Sequence, residues 1–276
     1  MPAKKVPARQ QPANSQHAKE HSARKQQRSR KAPAATVRAK PRSTVAESSP
    51  STVIAELKAL ADARTLNGMA RYAIPSDNAF GVPMHAIQAL GKRLGPSHEL
   101  AMQLWKSGWY EARTLAAFVA EPERLTPAQM DRWARDFDSW AICDTVCFKL
   151  FDRTPHAFDK VEQWARREEE FIKRAAFALL ATLALHGMGS DAQVTNCLPL
   201  IERAASDERN FVKKGVSWAL RAMGRRGAGL NAAAVRLARK LAASSAPAAR
   251  WIGKDALREL IKAKQRALAK RSRRSA

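Results

Sequence analysis

Two groups of residues carry the chemistry legible in this 276-residue chain. Trp140 and Asp144 lie four residues apart in a segment of helical character, so they share a face. A carboxylate beside an electron-rich indole is a place where positive charge is stabilised. The same pair also reads as an aspartate bonding a neighbouring helix, with the tryptophan in the core. The second group is Lys214, Trp218, Arg221 and Arg225, at steps of 4, 3 and 4. These form one helical stripe, while Val212, Val216, Leu220 and Met223 form another. One helix thus has an apolar stripe for packing and a basic stripe interrupted by an indole. That second stripe suits a polyanion, foremost a nucleic acid.

The elements that hold these residues repeat. Phe171-Ile-Lys-Arg174, Phe211-Val-Lys-Lys214 and Trp251-Ile-Gly-Lys254 are spaced 40 residues apart, and each runs on to a leucine at 180, 220 or 260. A helical period near 40 residues is the signature of HEAT-like repeats, each of which buries its apolar face against the next. The bases at equivalent positions, Arg174, Lys214 and Lys254, then fall in line. Taken singly, each is an ordinary solvated charge, and Lys254 has Asp255 and Glu259 close by; recurrence is what points to a ligand. Trp218 alone would pass for a core residue, but Lys214 and Arg221 share its stripe.

The charge is unevenly placed. The net charge is +24, of which residues 1–50 carry +10 and residues 262–276 carry +7, leaving +7 on 51–261. Basic tails of this kind add salt-sensitive, sequence-blind attraction to an anionic surface. Segment 1–50, rich in Ala, Pro, Ser, Gln and basic residues, lacks the apolar content to offset chain entropy and is expected to be disordered; a transit peptide is the alternative. A folded domain over 51–261 and a basic tail over 262–276 complete the organisation. With no apolar leader core and no run of 18 apolar residues, neither secretion nor a membrane span is expected. Cys143, Cys147 and Cys197 make no disulfide framework and fit a reducing cytosol. Cys143 and Cys147 are one turn apart but lack a partner pair at zinc spacing, so they read as core fillers. The chain has no H-E-x-x-H, phosphate-binding loop or G-x-S-x-G motif, and no metal or organic cofactor is expected.

Beyond residue 50 the periodicity predicts helices throughout: 51–61, capped by Ser51, then 66–73, 84–94, 97–106 and 110–120. Thr126-Pro127-Ala128-Gln129 has the N-cap, first-position proline and glutamine of a capping box. Asp138 is expected to cap 139–150, and Thr154-Pro155 to open 156–167. Helices over 168–186, 198–205, 208–223, 232–243 and 247–264 follow, with Glu168-Glu-Glu170 favoured by the dipole of the helix they begin. The fold class is an all-α solenoid, less regular in its early repeats.

On these residues the chain resembles the AlkD-like family of DNA alkylation repair proteins, built from HEAT-like repeats. The segments that carry the resemblance are 136–147 (Asp-Phe-Asp-Ser-Trp-Ala-Ile-Cys-Asp-Thr-Val-Cys), 167–174, 207–221 and 249–260. It implies a basic concave cleft for double-stranded, alkylated DNA, bound by a monomer in the bacterial cytosol or nucleoid. It also implies glycosylase chemistry on N3- and N7-alkylated purines. Such bases are already cationic, so the enzyme need only stabilise the cationic sugar that forms as the bond breaks. By resemblance Trp218 lines the lesion site, Arg221 contacts phosphate, Arg174 belongs to the cleft and Tyr72 approaches the DNA; with the repeat stripe, Trp140 joins Trp218 at the site and Arg174, Lys214 and Arg221 hold phosphates, with Lys254 extending the row. Members of the family carry two aspartates three residues apart, the second catalytic. Aligned through Asp144-Thr-Val, that second position is Cys147, leaving Asp144 as either a substitute or a scaffold residue. A non-catalytic binder of damaged or branched DNA and a protein-binding scaffold are the other readings.

Overall fold

The computed structural model describes residues 49–272, with side chains through 261. The expected disordered tail lies outside the described residues apart from its last two positions. The expected 262–276 tail begins as helix, because the final helix runs to Ser272.

Fourteen α-helices follow in order and no strand occurs among the described residues: α1 (Pro50–Ala59), α2 (Ala63–Met69), α3 (Met84–Leu94), α4 (His98–Lys106), α5 (Tyr110–Val119), α6 (Pro127–Arg135), α7 (Trp140–Lys149), α8 (Ala157–Trp164), α9 (Glu170–Leu185), α10 (Asp191–Asn196), α11 (Leu198–Ala204), α12 (Asn210–Arg226), α13 (Ala228–Ala242) and α14 (Pro247–Ser272). This is the all-α solenoid that the periodicity calls for. One row is continuous: α3 packs on α5, α5 on α7, α7 on α9, α9 on α12 and α12 on α14. The intervening α4, α8, α11 and α13 each pack against a member of that row. The repeat leucines Leu180, Leu220 and Leu260 are fully buried in it, as are Val212, Val216 and Met223.

Side-chain caps open five of the helices: α1, α2, α4, α6 and α10. Thr126 accepts from the Gln129 amide while the Gln129 side chain accepts from the Thr126 amide, closing the capping box. Ser190 and Gln193 do the same for α10. Three expectations are corrected. Ser49, not Ser51, caps the first helix. Ser139, not Asp138, stands at the N-cap of α7, and its side chain makes no cap bond. The short α10 was not foreseen, because of its six residues only Val194 is buried.

One buried carboxylate fixes the approach to α3. Glu111 on α5 accepts the backbone amides of Phe80, Gly81 and Val82 at 3.0, 2.8 and 3.2 Å. Three N–H donors satisfy an ion that would otherwise be costly to bury. They hold the 80–82 segment, and so the first turn of α3, against α5.

At the other end, α13 and α14 touch backbone to backbone at Gly253. A Cβ there would fall 2.2 Å from the Ala242 nitrogen and 2.6 Å from the Ala238 oxygen. The obstacle is main chain, so Gly253→Ala must push the helices apart. Overpacking of this kind costs about 1–3 kcal/mol, which in a chain of this size lowers the melting temperature by ~2–10 °C. An unchanged thermal melt of Gly253→Ala would contradict this contact.

Candidate functional site

Four helices of the continuous row converge on a pocket of 260 Å³. Its walls are Met84 and Gln88 from α3, Phe118 from α5, Asp144, Thr145, Phe148 and Lys149 from α7, and Trp218 from α12. Lys149 holds its ammonium 5.0 Å from the Phe148 ring centre and 5.6 Å from that of Phe118. The lining is therefore aromatic, with one carboxylate and one ammonium on the same helix.

Asp144 and Trp218, 74 positions apart in the sequence, meet here. The helical angle between 144 and 147 separates the two candidate positions. Cys147 is fully buried, its thiol directed at the Ala175 carbonyl of α9 at 3.6 Å. Burial, with Cys143 alongside, pushes the Cys147 thiol well above its ordinary value, so no thiolate is available. A residue at 147 does not reach the pocket; Asp144 does.

Arg174 also departs from expectation. It is 6 % exposed and is not a phosphate-facing cation. Its Nε and Nη2 donate to the two Asp144 oxygens at 3.0 and 2.6 Å, and Nη1 donates to the Phe211 carbonyl at 2.7 Å. One guanidinium thus ties α7, α9 and α12 together. Burial pushes the Asp144 carboxyl up, and the Arg174 charge opposes that shift. A guanidinium does not deprotonate, so a buried Arg174 keeps Asp144 as its counter-ion.

Trp140 is half-buried and donates its indole N–H to the Tyr72 carbonyl at 2.7 Å. That bond brings the short 3₁₀ turn Ala70–Tyr72 to the start of α7, where the Tyr72 side chain is 59 % exposed. Neither Trp140 nor Tyr72 lines the pocket; the bond fixes the Tyr72 backbone against the start of α7. Along α12 the basic stripe is present but partly neutralised. Arg221 and Arg225 both pair with Glu259 of α14, and Arg221 Nε lies 3.6 Å from Asp255. Lys214 and Lys254 are exposed and make no ion pair among the described residues. The three equivalent bases of the repeats therefore have two fates: Arg174 is turned into the structure, and the two lysines stay in solvent.

Lys149, Phe148, Phe118 and Met84 were not picked out by the sequence, whose apolar residues give no sign of which will meet across helices. A further pair adjoins the pocket. His186, at the end of α9, bonds the fully buried Asp152 and sets its ring edge-on to Phe148, with centres 4.3 Å apart. Burial pushes the Asp152 carboxyl up, and His186 opposes it. Among the described residues no group of three or more His, Cys, Asp or Glu side chains could hold a metal ion. No helix among them is long and apolar enough to cross a membrane.

The sequence profile of a family described as DNA alkylation repair enzyme matches residues 53–260. No curated protein sequence matches the chain. A solved structure, described as representing a new family of proteins related to the HEAT-like repeat DNA glycosylases with affinity for branched DNA structures, is similar. It has a TM-score of 0.64 and 21 % identity, covering 70 % of this chain and 83 % of that one. At that identity the likeness shows a shared HEAT-like fold. A designed armadillo repeat protein in complex with the peptide (KR)4 aligns with a TM-score of 0.41 and 12 % identity, over 78 % of this chain and 96 % of its own.

The Arg174–Asp144 contact makes a thermodynamic prediction. Removing either partner strands a buried charge, so Asp144→Ala and Arg174→Ala are each expected to cost about 3–5 kcal/mol in chemical denaturation. The double variant should cost less than the sum of the two, by roughly 1–3 kcal/mol. Strict additivity would mean the two side chains do not interact.

Proposed function

Because the chain belongs to the DNA alkylation repair enzyme family, we propose that the Asp144–Trp218 pocket receives an N3- or N7-alkylated purine nucleotide of duplex DNA and hydrolyses its N-glycosidic bond. The observation that carries this reading is the place of Asp144, a carboxylate at the wall of an aromatic pocket, with Trp218 and Phe148 beside it.

The alkylated base needs no protonation to leave, so the demand on the protein is electrostatic. Positive charge grows on the sugar as the bond lengthens. A carboxylate fixed in a site of low polarity stabilises that charge more than water would, without reorganising. Electron-rich ring faces add to it. In this scheme Arg174 is a positioning residue: it holds both Asp144 oxygens in one orientation and opposes the upward push of burial on the carboxyl. Trp140 positions Tyr72, and Lys214 and Lys254 are the cations free to meet backbone phosphates. Arg221 donates to Glu259 and the Ser217 carbonyl, and offers phosphate its remaining donors.

The second reading is a non-catalytic binder of damaged or branched DNA. One observation favours it: the charge of Asp144 is already shared with Arg174, which lowers what it can offer a developing cation. A protein-binding scaffold fits less well, since the exposed repeat lysines would require an acidic partner.

Release of free 7-methylguanine from alkylated duplex separates the two. On the catalytic reading the wild-type protein releases base above spontaneous depurination, and Asp144→Asn slows release about 10²-fold or more, the scale of losing one preorganised electrostatic group. Binding of the duplex with no release above background would leave only the second reading.

A further inference from the structure

The last repeat differs from the two before it in one respect. At its first turn Phe171 and Phe211 face each other, ring centres 5.4 Å apart and both half-buried. Trp251, the equivalent residue of α14, makes no ring–ring contact among the described residues and is 40 % exposed. Its ring is met instead by a cation, the Lys213 ammonium 5.3 Å from its centre. Lys214 and Lys254, one turn further along α12 and α14, are exposed and without ion pairs among the described residues. The acids nearby are engaged: Asp255 with Ser217, Arg221 and Arg258, and Glu208 with the Ala248 amide.

We propose that Trp251, with Lys213 against its ring, Lys214 the next residue of α12 and Lys254 one turn along α14, is a stacking platform for an unpaired nucleobase, so that the last repeat holds a single strand leaving the duplex. The inference rests on the nucleic-acid reading above. The chemistry of the patch selects the occupant. An indole left in water forfeits its burial energy, and a base, whatever its identity, offers a flat face to cover it. The lysines answer the phosphates on either side of that base. Intact duplex keeps its bases stacked inside and presents backbone and base edges but not base faces, so a base that stacks on Trp251 must be unpaired. A second copy of this chain would bring the same cations face to face.

The test compares the wild-type protein and two variants on two DNAs at fixed salt by fluorescence anisotropy. The DNAs are a blunt duplex and the same duplex with a single-stranded tail. Wild-type protein should bind the tailed form more tightly. Trp251→Ala should lose that advantage, by roughly 5- to 150-fold for one stacked base, while keeping its affinity for the blunt duplex and its thermal melt. Trp251→Phe, which retains a ring, should keep most of the preference. Equal wild-type affinity for both DNAs, or an equal loss on both in Trp251→Ala, would overturn the platform. Failure of the wild-type protein to bind either DNA would overturn the nucleic-acid reading itself.

Discussion

A single buried guanidinium sets the relation among three successive helices of the solenoid. Arg174 leaves α9, holds the Asp144 carboxylate of α7 by two hydrogen bonds and caps the Phe211 carbonyl of α12 with a third donor. Charged groups this far from water are stable only when every partner is in place. The three helices are therefore locked in rotation as well as distance, and the lock decides which residues face the pocket. Asp144 is turned to its wall, Cys147 is turned into the α7–α9 interface, and Trp218, two turns beyond the capped Phe211, is brought opposite Asp144.

The same lock shapes the electrostatics. Of three bases at equivalent repeat positions, one is consumed in building the site and two remain for a ligand. Farther along, Glu259 draws Arg221 and Arg225 together. The acids of α14 thus hold the arginines of α12 in place at some cost in free positive charge. A polyanion would meet a surface where lysines are unengaged and arginines are preorganised. This division follows from the chemistry of the two side chains, since the planar guanidinium fork suits fixed multidentate bonding and the flexible ammonium suits solvent.

Much of the fold was legible because local signals agreed. The capping box at Thr126 and the period-40 blocks locate their elements, and the span of α3 is matched end to end by its apolar spacing. The site was legible in part. Trp218 and Asp144 could be singled out, but their meeting depends on contacts far apart in the sequence. Arg174 misled for a physical reason: a base on an amphipathic helix is normally solvated, and nothing local reveals that a carboxylate and a free carbonyl wait on the flanking helices. Phe118, Phe148 and Lys149 carry no local mark that distinguishes pocket lining from core or surface. The register of the acid pair is similarly ambiguous in one sequence, since positions 144 and 147 differ by less than a turn. Only the packing of α7 on α9 assigns them opposite roles.

The preorganisation of Asp144 for positive charge, imposed by Arg174, is what the catalytic reading of the pocket requires. It is tested most directly by the affinity for duplexes carrying two abasic analogues at the lesion position, one a cationic pyrrolidine ring and the other a neutral tetrahydrofuran ring of the same size. A site built to stabilise a cationic sugar must bind the charged ring more tightly. The wild-type protein is expected to prefer the cationic analogue, and Asp144→Asn to bind the two alike. Equal affinity of the wild-type protein for both, or a preference that survives in Asp144→Asn, would contradict it.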